Sequence, residues 1–399
     1  MKKMMKTVLI ATLLLIVGGM LVAPVSAVTT EVTTIKYAAN NYSYAESSAT
    51  RTWTQMQSLF TNVDSKGPVY MQGPTFNTSD PYGDAGENMI LYYEHNGTYV
   101  RNLTDLVGGM SAGDEIAVKA SDGMTRYFNH TNVYTPMDRQ GQMVLAWWDN
   151  QSGAVPTYSE GIRLFIYTPP ASYGVSDSLN LTLRDMFYSM APWYRYNYSG
   201  IWPSAKGLSV KYVNQLSIYP PHRHDFNTTG DTTGAAFGNQ TGSSPGVGDP
   251  STGFTSTSAI ADDDGIFQTD QTTTNTYYAA HRFNFSIDTS TAKDGPVADI
   301  EKLNVTWNGK GWHNTGGTAN GTYLYIWNGT GYEELANNNG DGNEVYLTKE
   351  KTSGISNYVN SSNVTILVRQ KSPQTTRPDK YSHIETDYVK LVVTHHHHN

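Results

Sequence analysis

The sequence predicts a sheet-dominated α+β domain followed by an all-β sandwich. Three observations point to it. The chain has 399 residues, more than one ordinary core serves. Helical and strand-like runs are mixed up to about Pro221, whereas from about Asn275 almost every apolar run has strand length and is bounded by turn residues. Between them lies a glycine-rich stretch with few large apolar residues. With 38% hydrophobic and only 16% charged residues the chain can offset its conformational entropy, so disorder is excluded. There is no cysteine, which removes disulfides, thiolate-bound metals, iron–sulfur clusters and thiol nucleophiles together.

Residues 1–27 read as a secretory signal: Lys2, Lys3 and Lys6 precede an apolar run from Val8 to Val22, then Pro24 and the small-residue site ending at Ala27. A retained anchor is the rival reading, but the run is shorter than the roughly 20 residues a span needs. Removing three lysines leaves 24 basic residues against 35 acidic ones, a net charge of −11. Such a surface repels nucleic acid. No later stretch is long and apolar enough to span a bilayer, so the mature product is expected to be secreted, at the cell surface or extracellular.

Residues 28–226 form the expected α+β domain. Trp53, Met56 and Phe60 recur at helical spacing, as do Leu183, Met186, Phe187 and Met190, while 69–71, 89–93, 115–119, 143–148 and 162–167 have strand length. Residues 227–261, rich in Gly, Ser and Thr, read as a flexible linker. Residues 262–394 form the expected β-sandwich. Leu303, Val305 and Trp307 fall on one face of a strand and Asn304 on the other, and 281–287, 323–327, 345–347, 364–368 and 388–393 supply further strands. The His-rich tail, 395–399, reads as disordered or as an added remnant.

Sixteen Asn-x-Ser/Thr tripeptides occur, at Asn41, Asn77, Asn96, Asn102, Asn129, Asn150, Asn180, Asn197, Asn227, Asn239, Asn284, Asn304, Asn320, Asn328, Asn360 and Asn363. With 30 asparagines, and Ser plus Thr near a fifth of the chain, chance supplies roughly six. In an exported protein these are N-glycan acceptors on solvent-facing loops or strand faces. Trp147, Trp148, Trp193, Tyr194, Tyr196 and Trp202 read equally as core or as contact surface.

Metal-binding readings are fewer. Asp262, Asp263 and Asp264 place three carboxylates in a row, a calcium site completed by Asp387 or a solvated acidic linker. Residues 337–342 match only the start of a calcium loop, since Thr348 stands where the closing Glu belongs, and read as a hairpin turn. His222, His224 and Asp225 put two imidazoles on one side of an extended segment, a pattern that clasps zinc, copper or nickel or belongs to an exposed loop. No nucleophile elbow, zincin pair or phosphate loop is present, so an enzyme is not expected.

Two resemblances add to these readings. Residues 100–110 (Val-Arg-Asn-Leu-Thr-Asp-Leu-Val-Gly-Gly-Met), Gly113-Asp114, the turn at 120–124 and Gly161-Ile162-Arg163-Leu164 resemble the molybdopterin-binding domain of the sulfite-oxidase family over about 70 residues. Those enzymes bind molybdenum through a cysteine thiolate, absent here, so the resemblance implies the fold without the redox role. Residues 277–394, through 304–309, 323–329 and 384–389, resemble galactose-binding-like jelly-roll modules of archaeal surface proteins, which implies a jelly roll with calcium or sugar as ligand. The combined expectation is a non-catalytic, heavily N-glycosylated archaeal envelope protein that assembles with itself as surface layer, sheath or filament. The alternative is a secreted carbohydrate-binding protein.

Overall fold

The computed structural model describes residues 28–83, 87–168, 179–227, 234–289, 294–315, 319–340, 342–376 and 380–399. The expected signal segment lies outside them.

The chain is sheet-dominated. In the first domain the opening strand Glu31–Ala38 runs parallel to Val213–Tyr219, so the domain closes its own two ends against each other. Asn41–Thr52 flanks that pair on one side, and Glu115–Ala120 and Thr125–Asn129 extend it on the other, giving a five-stranded sheet. A second sheet centres on Gln142–Asp149, whose inward residues are all buried, with His95–Tyr99 and Arg163–Tyr167 as neighbours. Met56, Val100, Leu103, Ile116, Trp147, Phe165, Leu216 and Ile218 belong to one continuous core. The two expected helices are present as Trp53–Leu59 and Leu183–Ser189. Each starts at a threonine whose side chain accepts from the third helical amide, while that residue's side chain accepts from the threonine amide. This reciprocal cap fixes the helix start.

The second domain is two sheets packed face to face. One contains His222–His224, Gln268–Thr272, Ser382–His395, Ile300–His313 and Val345–Lys351. The other is built on Tyr278–Ser286, Asn363–Gln370, Thr322–Trp327 and Tyr332–Asn338. Leu303, Val305 and Trp307 are fully buried, as the alternation predicts, and the Trp307 indole donates to Thr386 at 2.9 Å.

Three expectations are corrected here. Residues 234–261 are not a free linker: Ala236–Gly238 and Gln240–Thr241 pair with Tyr278–Ser286, and the cis-proline bend at Pro250 accepts from the buried Arg282. Glycine was chosen there for contact, since a Cβ on Gly234 or Gly238 would strike Asn284 or Asp270. The turn at 337–342 is not a hairpin, because Tyr332–Asn338 and Val345–Lys351 belong to different sheets. The tail is ordered. His396 bonds Glu301 and the Tyr194 hydroxyl, His397 pairs with Glu115, His398 with Asp299, and Asn399 accepts from the Tyr127 amide while donating to the Tyr127 carbonyl. The last residues of the chain thus cap the edge strand Thr125–Asn129 of the first domain.

Within the first core, burial pushes the His95 imidazole down to about 4. A group whose folded pKa lies below its unfolded value contributes stability that is present above the unfolded pKa and lost as the pH falls toward the folded one. Lowering the pH from 7 to 4 should therefore cost about 3 kcal/mol through His95 alone, from 6.5 down to about 4 at 1.36 kcal/mol per unit. Urea unfolding across that range should show a shallower pH dependence for His95→Gln than for wild type, by about that amount.

Candidate functional site: an acidic cluster among surface sequons

The strand Ile300–His313 brings Asn308 to the rim of the sandwich, and three carboxylates converge on it. Asn308 Nδ2 donates to Asp263 and Glu344 at 2.7 Å each, and to Asp387 at 3.4 Å. One oxygen from each of the three acids lies within 4.8 Å of the others. Asn308 and Asp387 are buried, whereas Asp263 and Glu344 are exposed. Asp387 is further held by the Gly265 amide at 3.2 Å, and Asp263 accepts from the Tyr346 hydroxyl at 2.5 Å.

The protonation pattern is that of acids pressed together. Burial, then the neighbouring Asp263, raises the Asp387 carboxyl above its ordinary range. The Tyr346 hydroxyl holds the Asp263 carboxyl below its own. Meanwhile the Asn308 Oδ1 is buried with no hydrogen-bond partner among the described residues. A hard cation among these oxygens would neutralise the repulsion, and turning the Asn308 amide by half a turn would give the ion that orphaned carbonyl. Asp263, Glu344, Asp387 and Asn308 therefore fit calcium by an all-oxygen donor set.

The structure joins two of the four expected ligands, Asp263 and Asp387. The other two are occupied elsewhere: Asp262 accepts from Asn227, and Asp264 from the Ile266 amide. Glu344 and Asn308 were missed. Glu344 sits just past the turn read as an imperfect calcium loop, and its acidity close to that turn was the available signal. Asn308 lies on a strand alternation that gives no hint of a ligand.

Fourteen of the sixteen sequon asparagines are exposed or half-buried, on both domains. Asn180 and Asn320 are buried, at 3% and 7% exposure, and the folded chain leaves no room for a sugar there. Asn320 instead accepts from the His313 amide.

The aromatic residues divide. Trp147 and Tyr194 are core, and Trp193 stacks on His396 of the tail. Trp202 packs edge-on against Phe76, beside Tyr198 and Ile201, in an exposed patch between the sequons Asn77 and Asn197. That patch borders a cleft of about 450 Å³ lined by four cations, three of them engaged: Arg163 and Lys211 share Glu160, and Arg126 bonds the Gly207 carbonyl while covering the Tyr196 ring; Lys206 is the fourth. His222 and His224 are not in a loop. They lie on a buried strand, and the carboxylate they meet is Asp294 rather than Asp225, which pairs with Arg223 and accepts from Tyr388.

Residues 231–395 match the family described as the C-terminal domain of an uncharacterized protein. An uncharacterized protein of Archaeoglobus fulgidus is 37% identical over 99 residues, which is 24% of this chain and 16% of that relative. The match thus spans about a sixth of the relative's length. Among solved structures, the sulfane dehydrogenase SoxCD from Paracoccus pantotrophus aligns over 80% of this chain and 63% of its own, at 10% identity and a TM-score of 0.28. The CBM22-1 xylan-binding domain from Paenibacillus barcinonensis Xyn10C aligns over 43% of this chain and 93% of its own, at 9% identity and a TM-score of 0.17. The family match begins at the point where the structure folds the glycine-rich stretch into the second domain.

Calcium should raise the melting temperature of the whole protein, with stabilisation of about 2.7 kcal/mol at a hundred times the dissociation constant. Asp387→Asn should melt higher than wild type in chelator, since it removes a repelling charge, and should lose the response to calcium. Calorimetry with and without calcium reads both effects.

Proposed function

We propose that this chain is an exported, N-glycosylated, non-catalytic structural protein of an archaeal cell envelope that assembles with copies of itself. One observation carries the reading. Among the described residues the strand Asn41–Thr52 lies at the end of its sheet, paired on one side with Glu31–Ala38, and half of its residues are exposed and none is buried. A long edge strand offers a row of unpaired backbone donors and acceptors, and soluble proteins blunt such edges with charge, proline or a covering segment. This strand has twelve residues, with Glu46 and Arg51 its two charges and no proline. The opposite edge of the same sheet is capped by Asn399. An open edge facing a closed one favours ordered association by strand addition over indiscriminate aggregation.

The sequons support the same reading from the other direction. Glycans on the accessible asparagines would solubilise the remaining surface and obstruct other contacts, leaving fewer ways for copies to meet. The similarity to an Archaeoglobus protein supports the archaeal assignment, and the acidic cluster would let calcium stiffen the subunit.

A second reading, carbohydrate binding, is favoured by one feature. Tyr323, Tyr325 and Trp327 alternate outward from Leu324 and Ile326, with Tyr332 edge-on to Trp327 at 5.2 Å, as an aromatic row on the second domain. Trp307 is buried and has no part in it.

Native protein should sediment as higher oligomers with calcium present, and Ser48→Lys together with Tyr44→Lys on the open edge should leave it monomeric with an unchanged melting temperature. A wild type that stays monomeric at high concentration, deglycosylated or not, would remove assembly as its role. Glycan-array binding that disappears with Trp327→Ala would favour the second reading instead.

A further inference from the structure

Six of the eleven histidines gather where the second domain meets the first: His222, His224 and His395 to His398. Three of them differ from the rest. His396, His397 and His398 point to carboxylates of their own, Glu301, Glu115 and Asp299. His222 and His224 meet a single buried acid, and His395 packs on the residue next to it.

The local geometry follows from strand periodicity. His222 and His224 are two residues apart on a short strand paired with the final one, His222 opposite Val393 and His224 opposite Leu391, so both imidazoles leave the same face. Both are buried to 1% or less. Asp294, wholly buried, meets them through one oxygen: its Oδ1 is 2.7 Å from His222 Nδ1 and 2.8 Å from His224 Nε2. The other oxygen accepts from the Asp288 amide at 2.7 Å, which fixes the carboxylate plane. One donor atom from each of the three residues lies within 4.8 Å of the others.

A second feature is independent of this triad. His395, at the end of the final strand, is 8% exposed, and neither of its ring nitrogens has a hydrogen-bond partner among the described residues. It also packs on Gly295, where a Cβ would sit 3.2 Å from the imidazole and where φ is +69°. Backbone at residue 295 is therefore shaped to let this ring approach the residue beside Asp294.

We propose that His222, His224 and Asp294, completed by His395, form a structural site for a zinc-class divalent transition-metal ion at the seam between the two domains. Three imidazole nitrogens and one carboxylate oxygen suit zinc, cobalt, nickel or copper and not the hard cations that prefer all-oxygen shells. Zinc–nitrogen bonds of about 2.0–2.1 Å need donors a little over 3 Å apart, so the present contacts would open by roughly half an ångström. The ion would replace the protons now shared between the imidazoles and Asp294, and these would pass to solvent. With four protein donors and full burial the site has no open position, which makes it structural rather than catalytic.

The location gives the ion a task. His222 follows the crossing from the first domain at Pro220-Pro221, and its ring packs 5.1 Å from that of Tyr42, whose hydroxyl donates to the Pro220 carbonyl. Asp294 comes from a loop of the second domain, and His395 leads into the tail that docks on Glu115 and Tyr127. An ion here would join the crossing, the loop and residues 395–399, as a disulfide does in a chain that has cysteines. The inference does not depend on the envelope assignment.

Full-length protein stripped with chelator and then given zinc, with millimolar calcium present to occupy the acidic cluster, tests it. The expected result is about one tightly bound equivalent, a raised melting temperature, and a tetrahedral visible spectrum when cobalt replaces zinc. His224→Gln and Asp294→Asn should each lose the equivalent and the thermal response. His395→Gln should weaken binding by at least the roughly tenfold that even an outer-shell partner is worth. The triple variant His396→Ala, His397→Ala, His398→Ala should keep the ion. Metal lost in the triple variant but kept in Asp294→Asn would assign it to the tail, and a wild type that takes up no ion would equally overturn the site. Should Asp294→Asn fail to fold, His224→Gln carries the same comparison.

Discussion

The pairing of the final strand, Ser382–His395, with Ile300–His313 is the constraint on which most of the molecule depends. Both strands run for fourteen residues, and their register holds from Ile300 opposite His395 to His313 opposite Ser382, interrupted by two irregularities. Their inward faces supply Leu303, Val305, Trp307, Ile384, Val389, Leu391 and Val393 to the sandwich core. A slip of one residue would turn all of these outward. Because the same strand also pairs with His222–His224, its register decides where the chain ends, and thus that the tail meets the first domain. The acidic cluster depends on it too, since Asn308 and Asp387 come from these two strands next to the irregularity between Asn308 and Gly309. A strand irregularity of this kind re-aims side chains, and here it brings an amide and an acid to one point.

Much of this architecture was legible. Residues alternating on 302–307 predict buried Leu303, Val305 and Trp307, because a half-buried strand has no other stable arrangement. The two helices were legible from spacing, and their starts are explained by threonine caps. The glycine-rich stretch misled for a physical reason: glycine permits a flexible chain, but it also permits backbone to lie directly on a sheet, and composition does not distinguish the two. Only the contact of Gly234 with Asn284 and of Gly238 with Asp270 shows which applies. The turn at 337–342 misled similarly, since a turn's residues fix its tightness and not which sheet receives the next strand.

The sites were half legible. Asp263 and Asp387 could be paired because runs of acid need neutralising, whereas Asn308 and Glu344 join them through tertiary structure alone. The histidine pair was visible from its i, i+2 spacing, but its acid was sought nearby at Asp225. Asp294 stands 70 residues beyond His224 in the chain, and only the fold makes them neighbours. The terminal histidines looked like an appendage because a run of identical residues carries no periodicity. Their partners, Glu301, Glu115 and Asp299, are scattered over both domains.

The absence of cysteine gives these polar clusters a common physical meaning. A chain can be cross-linked by disulfides, by metal–ligand bonds, or by buried hydrogen-bond networks, and the first is closed to this one. Each alternative requires polar groups to be taken out of water, which is costly unless every group is satisfied. With an ion bound, the two clusters would meet that requirement with different atoms. At the sandwich rim three carboxylates surround an amide, an arrangement that a hard, oxygen-seeking cation would relieve. At the seam imidazoles surround one carboxylate, an arrangement suited to a softer ion. Because the donor sets differ, ions of the two classes would not compete strongly for the same place. Stiffness within the sandwich and the docking of the two domains would then respond separately to the two kinds of ion, with one set of strands holding both sites in register.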